Sequence, residues 1–381
     1  GDLGVKATNM VAYFESIDGV SKLEESSNPA TWMLGVIGAG VGNDAGDRTD
    51  FAALFKGSEK YRQLEANMRR EGVTRPSPSV PSLEFDRKPA ATNLTQAVFL
   101  IKRFIHLYWR TPSYNLTRIV VSIVLSLALG ISYLNTEYTS YQGVNSGLGM
   151  IYMGAVNMTF VTFSSVLPIT YKERASFYRE RSAQTYNAIW YFVGGTLAEI
   201  PYCFGISLLF MAIFYPMVGF TGVAAFFTFW FSLSLIILLM AYFGQFLAYL
   251  LPSLEVASVF MVLVNTICIL FTGFNPPAVS LPRGYVWLHD ITPHKYAFAS
   301  LTAIVFGDCP ADGDGGERGC QQMTGTPPSL PDGISVKEYL ERNFLVEHDD
   351  IWYNIGIMVA WIAVLQLLSL LSLRYVNHQT I

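Results

Sequence analysis

Glu199, in "AEIPY", is an ionisable side chain within a long apolar run. A carboxylate there is costly, so it must face other protein and find a partner. It could recognise a substrate, form a polar hinge beside Pro201, or bond a neighbouring helix as a structural group. A second concentration of chemistry is "YKERASFYRERSAQTY", residues 171–186, with six charged side chains and three tyrosines between two apolar runs. As a helix it would set Phe177 and Tyr178 between the charges, a surface suited to lie at a bilayer edge and dock a partner. The alternative is a connector whose charges only fix topology. The links at 217–221 and 251–254 are too short to dock anything, and that asymmetry favours a dedicated device. Cys309 and Cys320 flank "CPADGDGGERGC", a spacing compatible with a disulfide if the loop faces an oxidising compartment, or with two free thiols. No CxxC or paired histidine accompanies them, which disfavours zinc. Cys203 and Cys268 lie in apolar runs as packed thiols.

Soluble-enzyme chemistry finds no support. The chain has no G-x-x-x-x-G-K-[ST], no G-x-S-x-G and no H-E-x-x-H. His289 and His294 do not make a metal pair, and no catalytic pair stands out within the apolar runs. Charged residues are 14% of the chain, where a soluble domain carries about a quarter, and the apolar excess is gathered in long runs. The formal charge of −4 argues against nucleic acid as a partner.

These residues need elements to position them. Residues 1–90 are charged and only moderately apolar. There "TNMVAYFESI" and "DFAALFKGSEKYRQLEANMRREG" read as amphipathic helices, the second with Phe51, Leu54, Phe55, Tyr61, Leu64 and Met68 near one face. A Pro/Ser linker, 75–82, closes this soluble, α-rich segment. Residues 91–112 hold an amphipathic helix for the membrane interface. Leu94, Val98, Ile101, Ile105 and Tyr108 form its apolar stripe, away from Lys102, Arg103, His106 and Arg110. Residues 113–381 are read as six transmembrane helices, at 116–135, 147–169, 187–216, 222–250, 255–274 and 352–373. In the first, Arg118 is expected to snorkel to the interface. The fold class is mainly α, a polytopic membrane protein.

Six spans place Lys102, Arg103, Arg110, Arg118, the 171–186 basic residues and Arg374 on one side, which the positive-inside rule makes cytosolic with both termini. The stretch 275–351 falls outside, with eleven Asp/Glu against five Lys/Arg; its aromatic-rich start suits a short re-entrant or interfacial helix. Asn157, Thr159 and Thr162, Gln245, and Asn265 with Thr266 are polar groups on apolar spans, each by default helix–helix glue, and Phe160 by default is packing.

"SNPATWMLGV" after "NMVAYFESIDGV" resembles the end of a nucleotide-binding domain in pleiotropic drug resistance transporters, the G subfamily of ATP-binding-cassette proteins. "YKERASFYRERSAQTYNAIWYFVGGTLAEIPY" resembles that family's link between the second and third spans of a half. "FTGF", "FGDC", "VKEYLERNF" and "LRYVNHQ" resemble its C-terminal half. The resemblance covers essentially the whole chain. It implies that 171–186 is a coupling helix receiving motion from an ATP-driven domain, with Arg103, Glu173 and Glu180 as interdomain polar contacts. It places Asn157, Phe160, Asn265 and Thr266 on a central substrate cavity, and Phe274 and Asn275 at an extracellular gate.

Walker A, signature and Walker B segments are absent, so the chain reads as a membrane half with the tail of its motor, a piece of something longer. ATP and Mg²⁺ are expected in nucleotide-binding domains outside it, with no cofactor in the chain itself. The expected partners are membrane lipid, a second transmembrane half, those nucleotide-binding domains and an amphipathic small-molecule substrate. The expected site is the plasma membrane and the expected activity drug or lipid export. The reading from another class is a non-transporting membrane scaffold or receptor fragment acting through 275–351.

Overall fold

The computed structural model describes residues 3–24, 27–38, 49–70, 91–134, 136–310, 317–331 and 333–378. The expected linker at 75–82 lies outside the described residues. The chain divides into two compact units, Gly1–Asp86 and Arg87–Ile381.

The first unit holds four short helices, α1 (Thr8–Glu15), α2 (Pro29–Val36), α3 (Phe51–Gly57) and α4 (Glu59–Met68). Asn28 caps α2, accepting from the Ala30 N–H, with Pro29 at the first helical position. The expected single helix after Asp50 is two. Gly57 weakens it, and Ser58 leaves helical geometry to accept from the Tyr61 N–H and start α4. Edge-on aromatic contacts hold the unit together, Tyr13–Phe55 at 5.9 Å and Phe14–Trp32 at 6.3 Å. Leu54 and Met68, expected on the apolar face, are more than 40% exposed.

The second unit is a helix bundle. α5 (Asn93–Trp109) leads into α6 (Pro112–Ser132), α7 (Tyr141–Ser182), α8 (Ala188–Met217), α9 (Val223–Leu250) and α10 (Leu254–Leu270). Then follow α11 (Val286–Ile291), α12 (Pro293–Phe306), α13 (Val336–Phe344) and α14 (Ile351–Tyr375). By length and composition α6, α7, α8, α9 and α14 are long and apolar enough to cross a membrane. The fifth expected span, α10, is 17 residues and stops at Leu270, short of the expected 274. α9 is apolar all round and lies in the core, with Ser232 to Tyr242 buried without a break. α6 and α14 present exposed apolar faces, Leu116, Val120 and Val124 on one, Val359, Val364 and Leu367 on the other.

α6 packs on α8 through every fourth residue: Tyr114, Arg118, Ser122, Ser126 and Gly130 are its buried positions. Small residues let membrane helices approach closely. The Ser122 hydroxyl donates to the Ile206 carbonyl at 3.2 Å, and a Cβ on Gly130 would stand 2.8 Å from Met217 Sδ. α5 crosses α8 at Gly194, where a Cβ would lie 2.8 Å from Phe104 and 3.2 Å from the Leu100 backbone. Gly194→Leu is therefore expected to lower the unfolding midpoint of the intact protein in detergent. Gly205→Leu, with open space around its Cβ position, is the control that should leave it unchanged.

The largest departure from expectation is α7. It runs unbroken for 42 residues through Pro168, so residues 171–182 are the end of a span and not a separate link. At 1.5 Å per residue it is about 63 Å long, twice a bilayer core of about 30 Å. The aromatic-rich stretch expected as interfacial forms α11 and α12, and α12 is buried from Ala297 to Phe306 against α7, α9 and α14. Cys309 and Cys320 are disulfide-bonded. Between them Arg318 donates to the Gly219 carbonyl at 2.5 Å and lies 5.2 Å over both Tyr138 and Phe220, fixing the loop to the α8–α9 turn.

Candidate functional site

The charged end of α7 is wired to four other helices. Glu173 and Glu180 are two turns apart and share a face. Arg103 of α5 reaches both, with Nη2 2.9 Å from Glu173 and Nη1 2.7 Å from Glu180 Oε2 and 2.8 Å from Oε1. The three residues that the resemblance set aside for interdomain contacts thus meet one another. Burial opposes the charge on Arg103, but Glu180 and then Glu173 outweigh it and hold the guanidinium above its ordinary range. The Tyr186 hydroxyl donates to Glu180 at 2.5 Å; burial first, and this bond second, push the phenol up. Gln96 of α5 accepts the Asn187 N–H at 2.8 Å, so both ends of the turn into α8 are tied to α5.

The remaining charges do a second task. Arg174, 4% exposed, donates to the carbonyls of Ala248 and Leu251 at 2.6 Å and Pro252 at 3.0 Å. Arg181 donates to those of Leu373 and Arg374 at 3.2 and 3.0 Å. They satisfy the orphan carbonyls where α9 and α14 end, and cations are favoured there by the helix dipole. Phe177 and Tyr178 were expected to face a partner. Both are buried instead, Phe177 against Tyr191 at 4.5 Å and Tyr178 donating to the Val376 carbonyl at 3.3 Å.

Below this lies a buried ion pair. Glu199 and Arg118 are essentially unexposed and 3.3 Å apart. Tyr114 donates to Glu199 at 2.6 Å, and Arg118 donates to Ser165 Oγ at 2.7 Å and the Thr162 carbonyl at 3.2 Å while lying 4.0 Å over the Tyr114 ring. Glu199 faces the interior and has a partner, as its cost required. Arg118 does not snorkel, because Glu199 on the facing helix offers it a counter-charge at its own depth. Tyr114 and Arg118 recur four apart with Ser122, and that spacing was the signal that they share one buried stripe. On α5 the stripe read from sequence is only partly the buried one: Tyr108 is buried and Ile101 half-buried, but Leu94, Val98 and Ile105 are exposed, and Ala97, Leu100 and Phe104 face the bundle with Tyr108.

The expected cavity residues fall at one level. α7 and α10 are pinned by Tyr152 Oη to the Ile269 carbonyl at 3.2 Å and Ser164 Oγ to Met261 Sδ at 3.9 Å. This antiparallel register sets Asn157 and Phe160 opposite Asn265 and Thr266. Asn157, Phe160 and Thr266 are exposed, Asn157 donating to the Met153 carbonyl and Thr266 to that of Val262; Asn265 is buried. At the expected gate, Phe274 packs with Tyr152 at 4.9 Å, Phe298 at 5.6 Å and Phe344 at 6.2 Å, while Asn275 is exposed. His289 Nδ1 bonds the Phe271 carbonyl at 2.8 Å just before it, and burial pushes its imidazole down. Its part there went unread, because nothing local in the sequence pairs 271 with 289.

The ABC-2 type transporter family matches residues 95–306, and the CDR ABC transporter family matches 309–380. Pleiotropic drug resistance protein 1 of Nicotiana tabacum is 29% identical over all of this chain and a quarter of its own length. ABC transporter G family member 36 of Oryza sativa subsp. indica is 30% identical over 91% of the chain and 23% of its own length. Member 38 of Oryza sativa subsp. japonica is 31% identical over 81% and 20%. The chain thus spans about a quarter of the curated relatives it matches. A bundle of apolar helices with a wired charged end, matched over most of its length by one membrane-domain family, belongs to the ABC-2 type membrane domains of the pleiotropic drug resistance, or G-subfamily, ABC transporters.

Proposed function

We propose that this chain forms the substrate pathway of an ATP-driven exporter of amphipathic compounds, drugs or lipids, and receives motion at the charged end of α7. The observation that carries the reading is the Arg103–Glu173–Glu180 cluster. It fixes α5 to a helix that runs without a break into the bundle, while Arg174 and Arg181 tie the same segment to the ends of α9 and α14. A push on 171–182 therefore moves four helices together and can rock the bundle between two arrangements. Nucleotide-binding domains with ATP and Mg²⁺, and a second membrane half, supply the push and complete the pathway. The exposed faces of α7 and α10 carrying Asn157, Phe160 and Thr266 are where the second half would close a cavity, with Phe274 and Asn275 at its exit.

The basic end of the bundle is assigned to the cytosol, with both termini, in the plasma membrane. The disulfide supports that sidedness. It sits at the opposite end, beside the α8–α9 turn, where an oxidising exterior would keep it formed.

The test is Glu180→Ala in the intact protein. It is expected to leave ATP hydrolysis near its basal rate while efflux and substrate-stimulated hydrolysis fall together. Efflux and stimulation equal to the unaltered protein would sink the coupling role.

A further inference from the structure

A cleft of about 480 Å³ opens between α5, α6 and the inner end of α7. Its wall is apolar, with Leu107, Val121, Val161 and Ile169, and two charged residues, Lys172 and Glu173, stand at one end. Glu173 is already paired, with Arg103 at 2.9 Å, and Arg103 is shared with Glu180 outside the cleft lining. Lys172 is exposed and has no ion-pair or hydrogen-bond partner among the described residues, so it is the charged group of the cleft left to take a ligand.

The position of that charge matters as much as its sign. Lys172 follows directly on the apolar part of α7, at the depth where a helix leaves hydrocarbon for headgroups. Beside the cleft α6 exposes Leu116, Val120 and Val124, a face fitted to acyl chains. An apolar trough with one cation at its headgroup end matches a lipid with a negative head and a tail lying along the helices.

The geometry points to a binding site for one anionic phospholipid of the surrounding leaflet, its headgroup phosphate on the Lys172 ammonium and an acyl chain in the cleft. The floor and rim of the cleft include Tyr114 and Ser165, which hold the buried Arg118–Glu199 pair, and Glu173 of the ion cluster. The lipid therefore touches both polar devices at once. This assignment needs only that the bundle lies in a membrane and does not rest on the direction of transport.

The experiment is native mass spectrometry of the intact protein in detergent, titrated separately with phosphatidylglycerol and phosphatidylcholine. The expected result is one phosphatidylglycerol retained about five-fold more tightly than phosphatidylcholine, the factor that roughly 1 kcal/mol for one surface lysine supplies. Lys172→Ala, an exposed substitution that spares the fold, should remove that preference. Val161→Trp, which fills the cleft, should remove retention of both lipids. Equal retention of the two lipids by the unaltered protein, or a preference that survives Lys172→Ala, overturns the assignment. A dodecyl phosphate bound one per chain where phosphatidylglycerol is not would also overturn it, giving the cleft to a free amphiphile.

Discussion

Glu199→Ala is expected to destabilise the intact protein by about 3–5 kcal/mol, read as a lowered unfolding midpoint in detergent. The loss comes less from the pair's own attraction than from what is left behind. Arg118 would keep Ser165 and the Thr162 carbonyl as hydrogen-bond acceptors but lose its counter-charge, in a place 1% exposed. Tyr114 would lose the acceptor for its hydroxyl. Arg118→Ala should cost a similar amount for the mirror reason. Glu199→Gln separates the two contributions: it preserves an acceptor for Tyr114 and removes only the charge, so it should fall between Ala and the native residue.

The double replacement Arg118→Leu with Glu199→Leu gives the sharper outcome. Two apolar side chains of adequate volume leave no charge to desolvate, and buried pairs replaced in this way are often neutral or better. The double variant should melt above either single one. If Glu199→Ala melts with the native protein, or if the double variant is the least stable of the three, the pair is not what holds α6 to α8. Transport is a separate readout. A double variant that folds but does not export would show that the charges serve motion rather than stability.

The elements that could be read from the sequence are those fixed by local pattern. Apolar runs set α6, α8, α9 and α14 nearly where they stand, because lipid demands long helices whatever their partners. The expensive carboxylate at 199 announced a partner by its cost alone. What could not be read depends on contacts between distant positions. Pro168 and the charges after it look like the end of a helix, yet α7 continues, because Arg174 and Arg181 find carbonyls 74 to 193 residues away. Arg118 looked like an interfacial anchor because its partner lies 81 residues on. The cavity positions are a different case. Asn157, Phe160 and Thr266 stand exposed on this chain, so their use depends on a surface that another half would bring.

Arg174→Met should be the most damaging single change at the charged end, with a cost of the same order as the Glu199 variants. The side chain is 4% exposed and carries three hydrogen bonds to the carbonyls of Ala248, Leu251 and Pro252, and its guanidinium lies 4.5 Å from the Tyr171 ring. Hydrogen bonds to a charged donor contribute about 1.5–3 kcal/mol each, not additively, and Met fills similar volume while donating nothing. The end of α9 would then have its last carbonyls uncapped in a closed setting, which is a cost Met cannot relieve. Lys offers one charge but not the planar fork that serves three acceptors, so Arg174→Lys should recover only part of the loss. Because α9 is the core helix, fraying at Leu250 should also loosen the contact between α9 and α7 and show as faster amide exchange at 245–252. Arg179→Ala is the control: that side chain is exposed, its bond to Ser176 is 3.4 Å long, and its loss should leave both the midpoint and exchange unchanged. If Arg174→Met and Arg179→Ala behave alike, charge at this end matters only for topology, and the connector reading of 171–186 would be the better one.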